Sequence, residues 1–230
     1  MAADSRGTFG DPRGVTAQND NMNKTRIVAD RFGLMMAGSA EFGASILLSA
    51  DRARVGADTP PAEISDFVGR MAEESRNAYR QWFSTVPVIV GQGQPGRPDL
   101  IWIAGGYERS SEGNTVPRLF QMSSVFDFAP QVSDYGWTVA GVPQYALYLL
   151  NRLYQPDKSV AELAALAVYA ITETAGQDGK VGGPVKVLKI PADSSEKARR
   201  LSDEEVAEIV SRNQHRSDAL RTSFYATTSS

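Results

Sequence analysis

Apolar positions recur at two different spacings along the chain. Ile64, Phe67, Val68, Met71, Ala78, Tyr79 and Trp82 fall three or four apart, which predicts a long amphipathic helix over about 60–82. Thr59-Pro60 supplies its start, with Thr as N-cap and Pro in the first turn. A second helical pattern runs from about Ala40 to Arg54, and a third, PQYALYLLNRLY, over 143–154. Ser159 and Glu162 form a capping box that opens an Ala/Leu-rich helix reaching about Thr174. Ser202 and Glu205 open a short helix in the same way.

Between these lie β-type runs. Residues 26–28 and 32–37 predict a hairpin turning at Asp30 and Arg31. VPVIVG (86–91), LIWIAGGY (100–107), PRLFQM (117–122) and WTVAG (137–141) read as strands, the middle two paired across SSEGN. Gly182-Gly183 turns the chain into a last strand, PVKVLKI (184–190). Ala2 and Ala3 read as the tail of a buried strand with Asp4 at its mouth, whereas residues 5–25 are Gly-, Asn-, Asp- and Thr-rich and read as loop. Helices in two blocks around antiparallel strands predict an α+β domain with helices on both faces of a sheet sandwich. It occupies residues 1–190. Residues 191–230 are expected to be a charged linker, the short helix and a loose polar tail.

Composition narrows the function. The 230 residues carry a net charge of −3, which argues against a partner held by phosphate neutralisation, so no nucleic acid is expected. No apolar run reaches the roughly 18–20 residues of a membrane span, and no signal peptide is visible, so no membrane is expected and the compartment defaults to the cytoplasm. The absence of Cys excludes thiolate metal sites and disulfides, and the single His excludes a multi-histidine metal site. No metal and no cofactor are expected. A Ser-His-Asp triad would need His215, which lies in the polar tail. Gly91-Gln92-Gly93-Gln94-Pro95-Gly96 matches G-x-G-x-x-G, but a β-run follows it where a dinucleotide site needs a helix. It reads as a hairpin loop. The acidic cluster over 202–208 reads as a solvated helix face. Met35 and Met36 fit either core or a contact surface.

Several stretches, in order, resemble a proteasome β-type subunit of the N-terminal nucleophile hydrolase superfamily. AADSRGT (2–8) resembles the end of that family's second strand, and Lys24 followed by Ile27 its lysine after the next loop. LMMAGSAEFG (34–43) is similar to the strand-to-first-helix junction, and LIWIAGGY with PRLFQM to the central hairpin. AVYAITETAGQDGKVGGPVKVLKI (167–190) is similar to the last core helix, an Asp-bearing loop and the closing strand.

The resemblance implies a four-layer αββα sandwich in a homo- or hetero-oligomeric, stacked-ring assembly that cuts polypeptides with an N-terminal Thr. The Thr hydroxyl attacks the carbonyl while its own α-amine takes the proton. Carried over residue by residue, Lys24 lowers that amine's pKa by like-charge repulsion and Asp4 orients the lysine. Asp178 supports the amine. The Gly38 N–H lines the oxyanion hole, where an aimed donor is worth roughly 3 kcal/mol. Thr8 binds substrate main chain and Met36 floors the side-chain pocket, favouring apolar residues. A surface salt bridge is the plainer reading of Asp4 and Lys24.

Two positions depart from the family pattern: Pro143 and Val181 stand where serines that orient the amine are expected. The strand bearing the Thr would precede Met1, so the resemblance implies a start upstream. A noncatalytic structural subunit is one rival reading. A hydrolase acting on small amides is another, and self-cleavage at Gly7-Thr8 is a remote third.

Overall fold

The computed structural model describes residues 1–11, 14–55, 63–86, 89–92, 96–193 and 195–226. They form a mixed fold with five α-helices and antiparallel sheets, and the chain divides into two compact units. One unit comprises residues 23–143 and 190–199, the other 1–22, 144–189 and 200–230.

The first of these is built on a five-stranded sheet of β4 (Thr25–Val28), β5 (Phe32–Gly38), β6 (Leu100–Arg109), β7 (Thr115–Ser123) and β8 (Gln131–Val132) in that order. All neighbours are antiparallel. The β6–β7 hairpin is the one expected, extended by a rung or more at each end. The β4–β5 turn falls one residue earlier than expected. Ala29 and Asp30 both take left-handed φ, at 53° and 55°, and Arg31 N–H closes the turn on Val28 O at 3.1 Å. Two positive φ values make the tight turn whose twist matches the flanking strands. Asp30 is also held from outside the hairpin, by Lys197 at 2.8 Å and by the Ala198 N–H on its carbonyl.

Helices α1 (Ala40–Val55) and α2 (Ile64–Trp82) pack on this sheet, α1 against β5 and β6, α2 against β6 and β7. Period-2 alternation along β6 buries Leu100, Trp102 and Ala104 and leaves Ile101 and Ile103 half-buried. The predicted α2 stripe is the buried one: Ile64, Phe67, Val68, Met71 and Tyr79 all enter the core, while Trp82 stays partly exposed. Helix α2 begins at Ile64 with Glu63 before it. Glu63 makes no side-chain cap because its carboxylate accepts the Arg109 N–H at 3.0 Å. The Thr59-Pro60 start lies outside the described residues. Within the core the Trp102 indole N–H donates to Ser75 Oγ at 3.0 Å, and that hydroxyl donates to Met71 O. A buried polar pair so satisfied fixes α2 against β6 at one register.

Two predicted strands are absent among the described residues. Of residues 86–91, Val86 and Ile89–Gly91 are bend, coil and turn, with Ile89 and Val90 exposed. Gly91 N–H is spent on Val125 O, a loop contact. Residues 137–141 pair with nothing as a strand, because β8 has already taken the β7 edge at Phe120 and Gln121. The Ser133 hydroxyl ties off a turn on Trp137 O, and Thr138 reaches the sheet through its side chain, on Gln121. The hairpin reading of 91–96 fails with the strand expected over 86–91, since no described strand directly precedes the segment; Arg97–Asp99 lead into β6 and no helix follows, while residues 93–95 lie outside the described residues.

The other unit carries β1 (Ala2–Ala3), the hairpin β2 (Gly7–Asp11) and β3 (Gly14–Asn19), helices α3 (Gln144–Leu153) and α4 (Val160–Gln177), β9 (Lys186–Lys189), β10 (Arg199–Arg200, which straddles the unit boundary) and α5 (Asp203–Ala226). β1 pairs antiparallel with β9, in the sheet order β1–β9–β10. Helix α4 packs on β1 and β9, and α5 on α4 and β9, around Val168, Val185, Val187, Val206 and Ile209. Both capping boxes form. Ser159 and Glu162 exchange backbone–side-chain hydrogen bonds at 2.9 and 3.3 Å, as do Ser202 and Glu205 at 2.7 and 3.1 Å.

Two further expectations are corrected here. Residues 5–25 are not loop: they contain β2, β3 and the start of β4. The helix after Ser202 is long, 24 residues, and takes up the tail as far as Ala226. Asn213, the first residue of the expected tail, is buried and its amide donates to Ala165 O at 2.9 Å, which docks α5 on α4 at that point. No described helix is long and apolar enough to cross a membrane.

Trp102 is fully buried and carries a buried hydrogen bond, so Trp102→Ala should cost about 3–5 kcal/mol, read as a lower urea midpoint.

Candidate functional site

Four residues after the start, the chain is clamped. Asp4 Oδ2 accepts the N–H groups of Arg6 and Gly182, each at 3.2 Å. Buried Ser5 donates its N–H to Gly182 O at 3.1 Å and its hydroxyl to Pro184 O, and its own carbonyl accepts the Met22 N–H at 2.9 Å. Residues 4–6 thus lie pinned along 182–184.

Arg6 closes the arrangement. Its guanidinium forks onto Asp20, Nε to Oδ1 at 2.6 Å and Nη2 to Oδ2 at 2.8 Å. Nη1 donates to the carbonyls of Gly179 at 3.0 Å and Val181 at 3.4 Å. The guanidinium lies so close to Gly182 that a Cβ there would stand 2.6 Å from Arg6 Cζ, so any larger residue would have to displace the arginine. The hydrogen bonds from Arg6 hold the Asp20 carboxyl below the usual carboxylate range and raise the arginine in return.

Asp178 ends α4. Its N–H donates to Thr174 O at 2.8 Å, its Oδ1 accepts the Lys180 N–H at 2.8 Å, and its carbonyl accepts the Val181 N–H at 3.1 Å. The loop 178–183 is therefore a closed turn, braced by Arg6 and by Gln18 Nε2 on Gly179 O at 3.1 Å. Thr8 stands exposed on β2, opposite Gln18 of β3. This unit accordingly holds three of the six sequence-predicted residues, Asp4, Thr8 and Asp178, and both aspartates bond the 178–183 loop.

The other unit holds Lys24, Met36 and Gly38. The Lys24 carbonyl accepts the Met36 N–H at 3.0 Å, which extends the β4–β5 pairing by one rung. N–H groups alternate sides along an antiparallel strand. The Gly38 N–H, two residues on, therefore points the same way as that of Met36, away from β6. Gly38 ends β5 just before α1, at φ 94°, and a Cβ would stand 2.2 Å from Asp99 O. The carbonyl of Asp99 accepts the Ser39 N–H at 2.8 Å, which locks the strand-to-helix junction onto β6. Met36 is half-buried against the core, and its sulfur lies against α1: a Cβ on Gly43 would come within 2.7 Å of it. Met35 is buried. Both methionines thus pack with the core.

The departures keep structural employment. Pro143 immediately precedes α3, where its missing N–H costs nothing. Val181 supplies backbone groups to Asp178 and Arg6. Sequence reasoning missed Arg6 and Asp20. Their signal lay in the β2–β3 register, since Gly7 faces Asn19 and the next pair outward is Arg6 and Asp20. Among the described residues no cluster of His, Asp and Glu is gathered as for a metal ion.

No family model and no curated protein matches the chain. Solved structures do. Anbu from Yersinia bercovieri, called an ancestral beta-subunit, superposes with a TM-score of 0.71 at 16% identity, over 97% of this chain and 91% of that one. The fold is that of Anbu. Anbu from Pseudomonas aeruginosa, solved as a helical assembly, gives 0.71 at 17% identity over 97% and 90% of the two chains. Anbu from Hyphomicrobium sp. strain MC1 gives 0.63 at 22% identity over 97% and 91%.

Gly38→Ala should lower stability by about 1–3 kcal/mol or more, because the left-handed backbone and the Asp99 carbonyl both oppose a Cβ. Denaturant unfolding measures it. Asp20→Asn should lower the melting temperature at neutral pH. The gap to the parent should close as the pH falls through the depressed Asp20 pKa, because that stabilisation exists above the ordinary carboxylate pKa and is lost on protonation.

Proposed function

We propose that the chain is a proteasome-like subunit of the N-terminal nucleophile type, working in an oligomer on polypeptide substrates. The observation that carries this is the likeness to Anbu over 97% of the chain, one of those relatives being solved as a helical assembly. On this reading the fold is a four-layer αββα sandwich. Asp4 orients Lys24, Lys24 depresses the pKa of the nucleophile's amine, and Asp178 supports that amine. The Gly38 N–H receives the oxyanion; its direction away from β6 supports that role. Thr8 holds substrate main chain and Met36 floors the pocket.

The nucleophile, on this proposal, is an N-terminal Thr. The Met1 amine donates to Leu188 O at 2.9 Å, and Leu188 N–H donates back to Met1 O at 2.8 Å, so Met1 fills a full rung beside β9. Burial lowers the amine's pKa to about 6.

A noncatalytic subunit is the second reading. It is favoured by Val181, whose side chain puts no hydroxyl into the turn that follows Asp178.

The test has two arms. A chain that starts at Met1 should gain about 2–3 kcal/mol of stability between pH 6 and pH 8, because the unfolded amine binds a proton there that the folded one does not. In the second arm, the intact mass of protein from its native source should place a Thr at the mature terminus. That protein should hydrolyse a fluorogenic peptide, and Lys24→Ala should abolish the activity while leaving the circular dichroism unchanged. A native start at Met1 or Ala2 would leave the noncatalytic reading standing.

A further inference from the structure

Three arginines, Arg76 and Arg80 of α2 and Arg97 just ahead of β6, share one carboxylate, that of Asp127. Arg80 Nη2 lies 3.0 Å from Asp127 Oδ2, Arg76 Nε 3.4 Å from the same oxygen, and Arg97 Nη2 3.4 Å from Oδ1. Arg76 Nε also donates to the Asp127 carbonyl at 3.1 Å. Among the described residues no other carboxylate makes an ion pair with any of the three. Asp99, the next acid, is felt by Tyr79 but makes no ion pair with these arginines. Two positive charges are therefore left over.

The cluster is poor as a purely structural knot. Arg76 and Arg80 stand one turn apart on the same helix face, where like charges repel. Arg97 is 5% exposed, its Nε is buried with no hydrogen-bond partner, and its guanidinium lies over the Tyr79 ring at 5.3 Å. A buried guanidinium with an unmet donor is under-satisfied by this chain. The backbone at Asp127 and Phe128 is left-handed, with φ of 50° and 56°. Arg80, by contrast, is 60% exposed, so its remaining donors face solvent.

We propose that Arg76, Arg80 and Arg97 form a binding site for a phosphate dianion. The charge decides the ligand class: a dianion cancels an excess of two, whereas a lone carboxylate would leave one uncancelled. Guanidinium forks suit the oxygens of phosphate, and a partly buried setting strengthens the pairing. Free phosphate and the phosphate of a mononucleotide offer the same chemistry. The site stands apart from the subunit reading above, and either can fail without the other.

The experiment is thermal denaturation of the full chain in rising inorganic phosphate, with sodium chloride holding ionic strength constant, and ³¹P line widths recorded in parallel. The expected result is a saturable rise in melting temperature with line broadening. Arg80→Gln should weaken the apparent affinity at least about tenfold, and Arg80→Lys, which keeps the charge but not the fork, should weaken it as well. A nucleoside monophosphate binding more tightly than phosphate would identify the nucleotide as the source, and equal binding would identify the free ion. A rise that is linear and unchanged in Arg80→Gln would be a general salt effect and would overturn the site, as would no rise at all.

Discussion

The Arg6 guanidinium joins three stretches of chain that are distant in sequence. Its fork on Asp20 closes the base of the β2–β3 hairpin, and Nη1 holds two carbonyls of the loop after α4. Remove it and the Gly179 and Val181 carbonyls lose a donor while Asp20 loses its counter-charge. Asp4, which bonds both the Arg6 and Gly182 N–H groups, would then sit on an unbraced turn. Asp178 closes the first turn of the loop 178–183, but Gly179, Gly182 and Gly183 add no side-chain packing. Arg6, with Asp4, Ser5 and Gln18, braces the rest. That dependence accounts for Gly182, because the guanidinium fills the space a Cβ would need.

In the other unit the corresponding constraint is backbone on backbone. Gly38 meets Asp99 so closely that β5 must end there and α1 must begin. The junction is held by the Ser39 N–H on Asp99 O, and below it Trp102 and Ser75 fix α2 against β6. Both constraints are local and chemically specific, while the rest of the core is apolar and tolerant. A fold resting on a few such contacts and an apolar pattern can persist at 16–22% identity, as the likeness to Anbu requires.

How much of this the sequence disclosed follows from how each element is stabilised. α2, α4 and the β6–β7 hairpin were legible because periodicity, a capping box and a turn signal all agreed. The β2–β3 hairpin was not. Gly7, Gly10 and Gly14 dilute its β character, and its closing pair, Arg6 with Asp20, lies outside the strands themselves. The reach of α5 was hidden for a related reason, since the residue that docks it, Asn213, is polar and reads as solvent-facing until its amide finds Ala165 O. Residues 86–91 and 137–141 fail in the opposite sense. Their composition is that of strands, but a strand needs an open edge, and β8 occupies the β7 edge.

The candidate site divides along the same line. Gly38 and Asp178 entered through the family resemblance, and each stands at the end of an element. Met36 was legible only as apolar. Its position against Gly43 of α1 decides that it packs with the core, and composition could not have said so. Asp4 was legible through the stretch it belongs to, yet its partners come from Arg6 and from Gly182, on the far side of the chain, and no local pattern announces the second. What a sequence states poorly is which distant backbone groups a side chain will satisfy. Arg6 and Asp4 act almost entirely through such groups, which is why their neighbourhood emerged only with the fold.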